Sequence, residues 1–190
     1  VCFIPTASGD NDLYKLNFYR AFSKLECKTS HIDLFSRTEN LEKKVLCQDI
    51  IYVGGGNTKS MLAVWRDWSL DIILKKAYES GIVMSGVSAG AICWFEKGIT
   101  DSFANKLEII SCLGILDGVA CPHFDKEEER EPYVKHLIKN EIINNCICIE
   151  DSCALHIKND CDYSSINFGK EKKCLKISKE NNNFKKEYYA

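Results

Sequence analysis

The chain has 190 residues, 45% hydrophobic and 27% charged, enough for one soluble domain with its own core and short of what two usually need. Its 25 Lys and Arg and 27 Asp and Glu leave a net charge of −2, with the signs interspersed, so neither nucleic acid nor an anionic membrane is indicated as a partner. Eleven cysteines, odd in number and without a CxxC pair, argue against a disulfide framework or a zinc site and read as reduced core thiols of a cytoplasmic protein.

In chain order, Val1 to Ile4 is an apolar run ending in Pro5-Thr6-Ala7-Ser8-Gly9, a strand feeding a loop. The chain thus opens directly in a strand, which points to a piece missing ahead of it. No run is apolar enough for a membrane span and no signal-peptide pattern is read. Leu13, Leu16, Phe18, Tyr19, Phe22 and Leu25 follow at helical spacing. Strands are predicted over residues 31–35, 49–53 and 82–85. Helices over 61–65 and 72–78 lie between the last two, with Gly81 as a C-cap. Such alternation predicts a mostly parallel sheet covered by helices on both faces.

Beyond residue 90 the rhythm changes. Residues 113–120 read as loop running into a strand, and 127–140 as a charged helix with Val134, Leu137 and Ile138 on its apolar side. Short strands are predicted over 147–149, 154–157, 164–168 and 174–177. They form an antiparallel edge of the same sheet, so the expectation is a single α/β domain over 1–190.

Two strand ends carry chemistry. Ile82-Val83-Met84-Ser85-Gly86-Val87-Ser88-Ala89-Gly90 runs from an apolar strand through a Gly-x-Ser-x-Gly turn into a helix. The glycines on both sides of the serine suit a tight, crowded backbone. Ser88 then projects at the carboxyl end of the strand as a nucleophile, and the N–H of Ala89 is placed to bind an oxyanion at a helix N-terminus. The competing reading is a serine N-cap on a packing turn. The second strand end is Val53-Gly54-Gly55-Gly56-Asn57-Thr58. Its spacing fits neither GxGxxG nor GxxxxGK[ST]. It emerges at the same edge as Ser88, so Gly55 or Gly56 is the expected second oxyanion donor, with Asn57 and Thr58 lining the pocket or capping the next helix.

A serine nucleophile needs a base. His31 lies in an early strand, His136 on a charged helix face and His156 on a strand surface. His123, in Cys121-Pro122-His123-Phe124-Asp125, follows a strand end at the carboxyl edge behind a proline that stiffens its approach. The acid that orients it comes from Glu150 or Asp151 at the end of the next strand, which residue chemistry alone does not separate. Asp101 is held in reserve, and Asp117 and Asp125 are read as loop acids in solvent.

Taken together, Val53-Gly54-Gly55-Gly56-Asn57-Thr58, Gly86-Val87-Ser88-Ala89-Gly90-Ala91 and Cys121-Pro122-His123-Phe124 resemble peptidase family S51, the peptidase E (aspartyl dipeptidase) group. Ile92-Cys93-Trp94-Phe95-Glu96 and Thr100-Asp101-Ser102 are similar to its bacterial branch. The resemblance covers nearly the whole chain. It implies a flavodoxin-like fold of the class I glutamine amidotransferase kind, with serine in place of cysteine, and the order Ser, His, acid. That order differs from a typical α/β-hydrolase, whose acid precedes its histidine. By the family pattern the acid is Asp151, followed by Ser152 and the strand Cys153-Ala154-Leu155; many relatives carry glutamate there. The resemblance also implies that Arg130, within Glu128-Glu129-Arg130-Glu131, binds the aspartyl carboxylate of the substrate, for which a planar guanidinium is suited. It implies a further strand and helix ahead of Val1.

The expected function is hydrolysis of short peptides, above all dipeptides with N-terminal aspartate, by Ser88, His123 and Asp151, without metal or cofactor. A small peptide is the expected partner and a homodimer is left open. The alternatives are an esterase, amidase or cyanophycinase-like hydrolase using the same residues, and an inactive binding module on the same fold.

Overall fold

The computed structural model describes residues 1–104, 106–159, 161–168, 171–181 and 183–190. They fall into two compact units, Val1–Trp94 with Asp101–Ala104, and Phe95–Thr100 with Asn105–Ala190.

The first unit contains β1 (Cys2–Ile4), α1 (Asp12–Phe22), β2 (Ser30–His31), α2 (Leu41–Leu46), β3 (Ile50–Val53), α3 (Thr58–Asp67), α4 (Leu70–Glu79), β4 (Val83–Gly86) and the short α5 (Ala89–Ile92). Its four strands form a sheet in the order β2-β1-β3-β4, every pair parallel. Side chains alternate between the two faces of a strand. Phe3 and Tyr52 are register partners and stack on each other and on Phe18 of α1. The intervening Cys2, Ile4, Ile51 and Val53 are fully buried on the opposite face. Helix α3 starts on Asn57, whose Oδ1 accepts the Ser60 N–H at 2.8 Å, and buries Met61, Leu62 and Trp65.

The strand expected over 31–35 is corrected. Only Ser30–His31 pairs with β1. The chain leaves the sheet because the Asp10 carboxylate takes the N–H groups of Leu34 and Phe35 at 2.5 and 2.8 Å. Those donors are then lost to a strand ladder.

The second unit contains β5 (Phe95–Thr100), β6 (Glu108–Ser111), β7 (Leu116–Cys121), α6 (Arg130–Lys139), β8 (Asn145–Ile149), β9 (Cys153–Lys158), β10 (Asp162–Asn167), β11 (Cys174–Glu180) and β12 (Asn183–Tyr188). Six of these strands form a sheet in the order β12-β11-β8-β7-β5-β6. Its centre is parallel, and β6, β11 and β12 join antiparallel. Val134, Leu137 and Ile138 of α6 pack in one core with Ile99, Val119, Cys121, Cys146, Cys148 and Ile177.

The class is therefore α/β, with parallel strands, flanking helices and antiparallel strands at the C-terminal end. Three details differ from expectation. The C-terminal strands β11 and β12 belong to the six-stranded sheet and not to that of β1 to β4. Strands β9 and β10 form a hairpin of their own instead of joining the larger sheet. The helix after Ser88 lasts only four residues, and the apolar run behind it becomes β5. Among the described residues no helix is long and apolar enough to cross a membrane.

Candidate active site

In the first unit, β4 delivers the chain to Ser88, which sits at φ 54° and ψ −114° directly before α5. A non-glycine residue at positive φ is strained, and such strain collects at functional sites. Both flanking glycines are required by space. A Cβ on Gly86 would stand 2.3 Å from the Gly90 carbonyl oxygen, and one on Gly90 would stand 2.2 Å from that of Val53. The turn is thus pressed against β3, and Val87 N–H donates to Val53 O at 3.1 Å. The Ser88 side chain makes no cap on α5, so the N-cap reading is not the geometry found.

The glycine loop is tied along its length. Gly54 N–H donates to Ile4 O at 3.1 Å and Asn57 N–H to Ala7 O at 2.8 Å. Gly56 adopts φ 139°, and a Cβ there would overlap Ala7 O at 2.2 Å. Gly55 faces Ser88: a Cβ on it would stand 3.1 Å from Ser88 Cβ and 3.8 Å from Ser88 Oγ. Its N–H, however, donates to the Tyr14 hydroxyl at 3.1 Å. Of the three expected oxyanion donors, Gly56 and Ala89 are those whose N–H groups meet no protein acceptor among the described residues. Asn57 and Thr58 act as structural members here. Asn57 caps α3, and Thr58, which is buried, donates its N–H to Ser102 Oγ at 2.8 Å. Asp101, the reserve acid, is exposed.

In the second unit, β7 ends at Cys121 and delivers His123, which also has positive φ, 52°. Strand β8 ends at Ile149, whose carbonyl accepts the Phe124 N–H at 3.1 Å, and this brings the two strand ends together. His123 Nδ1 lies 2.7 Å from Asp151 Oδ1. With Nδ1–H donated to the carboxylate, Nε2 carries the lone pair, the tautomer a general base needs. Glu150 turns elsewhere and accepts the Lys173 N–H at 3.1 Å. The geometry thus separates two acids that residue chemistry left equivalent.

The acid turn has a strut that the sequence reading placed in solvent. Asp125 Oδ1 accepts the Asp151 N–H at 2.7 Å, Oδ2 pairs with Lys172, and the side chain is only 13% exposed. Burial pushes the Asp125 carboxyl up, but the Lys172 ammonium and the Asp151 amide outweigh it and hold it below the usual range. The sequence signal was its place two residues after His123, at the same strand end.

Arg130 opens α6 and is 1% exposed. Its Nε and Nη2 contact Glu127 Oε2 at 2.7 and 2.6 Å, and Nη1 donates to Ile99 O at 3.2 Å. Burial opposes its charge, yet the bonds to Glu127 and Cys121 raise its pKa above the ordinary value. Its fork is therefore engaged within the unit. A substrate carboxylate would have to compete with Glu127.

The family model for peptidase family S51 matches residues 1–162. The uncharacterized peptidase YgaJ of Bacillus subtilis (strain 168) is 47% identical over 161 residues, 84% of this chain and 70% of that protein. Among solved structures, one described as a peptidase E protein from Listeria monocytogenes EGD-e aligns with TM-score 0.68 at 19% identity, over 88% of this chain and 85% of its own. A peptidase from an acI-B1 Actinobacterium aligns with TM-score 0.68 at 16% identity, over 100% and 80%. At these identities the two structures speak for the fold alone.

Proposed function

This chain belongs to peptidase family S51, and on that premise we propose a serine peptidase of short peptides, dipeptides with N-terminal aspartate first among them. Ser88 Oγ attacks the scissile carbonyl while His123 Nε2 takes its proton. The C–N bond breaks as His123 returns that proton to the leaving amine, and an acyl-enzyme remains on Ser88. Water, deprotonated by the same nitrogen, releases the acid and restores the serine. Asp151 stabilises the imidazolium formed in each half. Gly56 and Ala89 N–H groups meet the oxyanion.

One observation carries the reading most of all. Ser88 is held in a strained backbone beside a glycine loop, and its side chain does not cap the helix it precedes. A packing turn has no use for that strain. The aspartyl preference rests on the family resemblance; Arg130 would serve it only by exchanging Glu127 for the substrate carboxylate.

The test is hydrolysis of Asp-X and Ala-X dipeptides by the wild type and Ser88→Ala, with fluorophosphonate labelling alongside. Cleavage by the wild type, labelling at Ser88, and a loss of at least about 10⁴-fold in the variant are expected. A wild type that labels but cleaves only aryl esters overturns the peptide substrate. A folded wild type that does not label overturns the nucleophile.

A further inference from the structure

Three consecutive glycines make the most pliable backbone a chain can offer, and an oxyanion site tolerates little play. The ends of this loop are tied by Gly54 to Ile4 and by Asn57 to Ala7. Its middle is tied by a side chain 41 residues away: the Tyr14 hydroxyl accepts the Gly55 N–H at 3.1 Å. Tyr14 is itself fixed. Its ring meets Phe3 edge-on with centroids 5.1 Å apart, and its Cε1 stands 3.0 Å from where a Gly54 Cβ would lie. Behind it, Phe3 stacks on Phe18 and Tyr52 at 4.8 and 5.7 Å.

We propose that Tyr14 is a positioning residue of the hydrolytic site, its oxygen holding the Gly54–Gly55 peptide so that Gly55 stays against Ser88 and Gly56 N–H is left for the oxyanion. This rests on the hydrolase reading of Ser88. Gly55 cannot serve the oxyanion without giving up Tyr14, so the division of labour follows from single N–H groups. The effect falls on the transition state, because the loop meets negative charge only there.

Tyr14→Phe keeps the ring and its contacts and deletes only the acceptor. Amide exchange at Gly55 is expected to rise about tenfold, the scale of one lost hydrogen bond. The kcat per fluorophosphonate-titrated site is expected to fall about tenfold, the scale of a slightly misplaced catalytic group, with KM within about twofold. Gly54→Ala, which presses a Cβ on the same ring, should give the same kinetic split. A purely structural tyrosine would lower thermal stability and the titratable fraction while leaving kcat per site intact, and that result overturns the proposal. If the wild type neither cleaves nor labels, the hydrolase reading falls separately. Exchange at Gly55 then still decides the clamp: acceleration in Tyr14→Phe supports it and an unchanged rate overturns it.

Discussion

At Ser88 the backbone, not the side chain, is the unusual feature. Gly86 and Gly90 admit main chain within 2.3 Å of where their Cβ atoms would be, so the chain reverses in a space that holds Ser88 at positive φ. His123 shows the same feature, and its imidazole is oriented by a 2.7 Å bond to Asp151. Asparagine in place of Asp151 keeps the shape but offers an amide that can stabilise the wrong tautomer and cannot balance an imidazolium. Asp151→Asn should therefore lower kcat by about 10⁴-fold at neutral pH, as tautomer loss does in serine hydrolase triads, with little change in thermal midpoint. Steady-state dipeptide kinetics check it; activity within tenfold of wild type would remove Asp151 from the triad.

At the level of elements, the turn between β8 and β9 carries Asp151, and Asp125 braces it from the loop after β7. The strut is also a pH-sensitive one. Its folded pKa is depressed, so its contribution is fully present above the unfolded carboxylate value of about 4 and is lost as pH falls through the folded value. Asp125→Ala should flatten the fall in urea midpoint below about pH 4, by up to one proton's worth of slope. It should also lower kcat, because the Asp151 amide loses its partner. An acid-limb slope identical to wild type would show that Asp125 does not couple to folding.

Over the whole molecule the thiols provide a global probe. Cys2 in the first unit and Cys121 and Cys146 in the second are fully buried. Burial pushes Cys2 up to about 11 and Cys121 up to about 12, and drives Cys146 upward as well. An unfolded thiol ionises near 8.5, so above that pH the unfolded state sheds protons that the folded state keeps. Stability is then complete below about pH 8.5 and falls as pH rises, by about 1.4 kcal/mol per pH unit for each such thiol. Urea midpoints at pH 8, 9.5 and 10.5 measure it, and Cys121→Ala should shallow the slope by one thiol. In native protein a disulfide reagent should reach the exposed Cys27, Cys47 and Cys161 well before these three.

The sequence by itself determined the class of fold and the backbone geometry of the Ser88 turn and the glycine loop. The two turns are written in neighbouring residues: apolar strands running into glycine, and glycines where close backbone approach leaves no room for a Cβ. Short-range geometry demands those residue types, so the types reveal the geometry. Tertiary structure alone decided the contacts between residues far apart in the chain. It set Asp151 against His123 and Glu150 against the Lys173 amide. It turned Asp125 from a loop acid into a strut and buried Arg130 against Glu127. It ended the second strand early through Asp10 and tied Tyr14 to Gly55. A side chain's partner across tens of residues depends on where the whole chain places both, and no local pattern carries that distance.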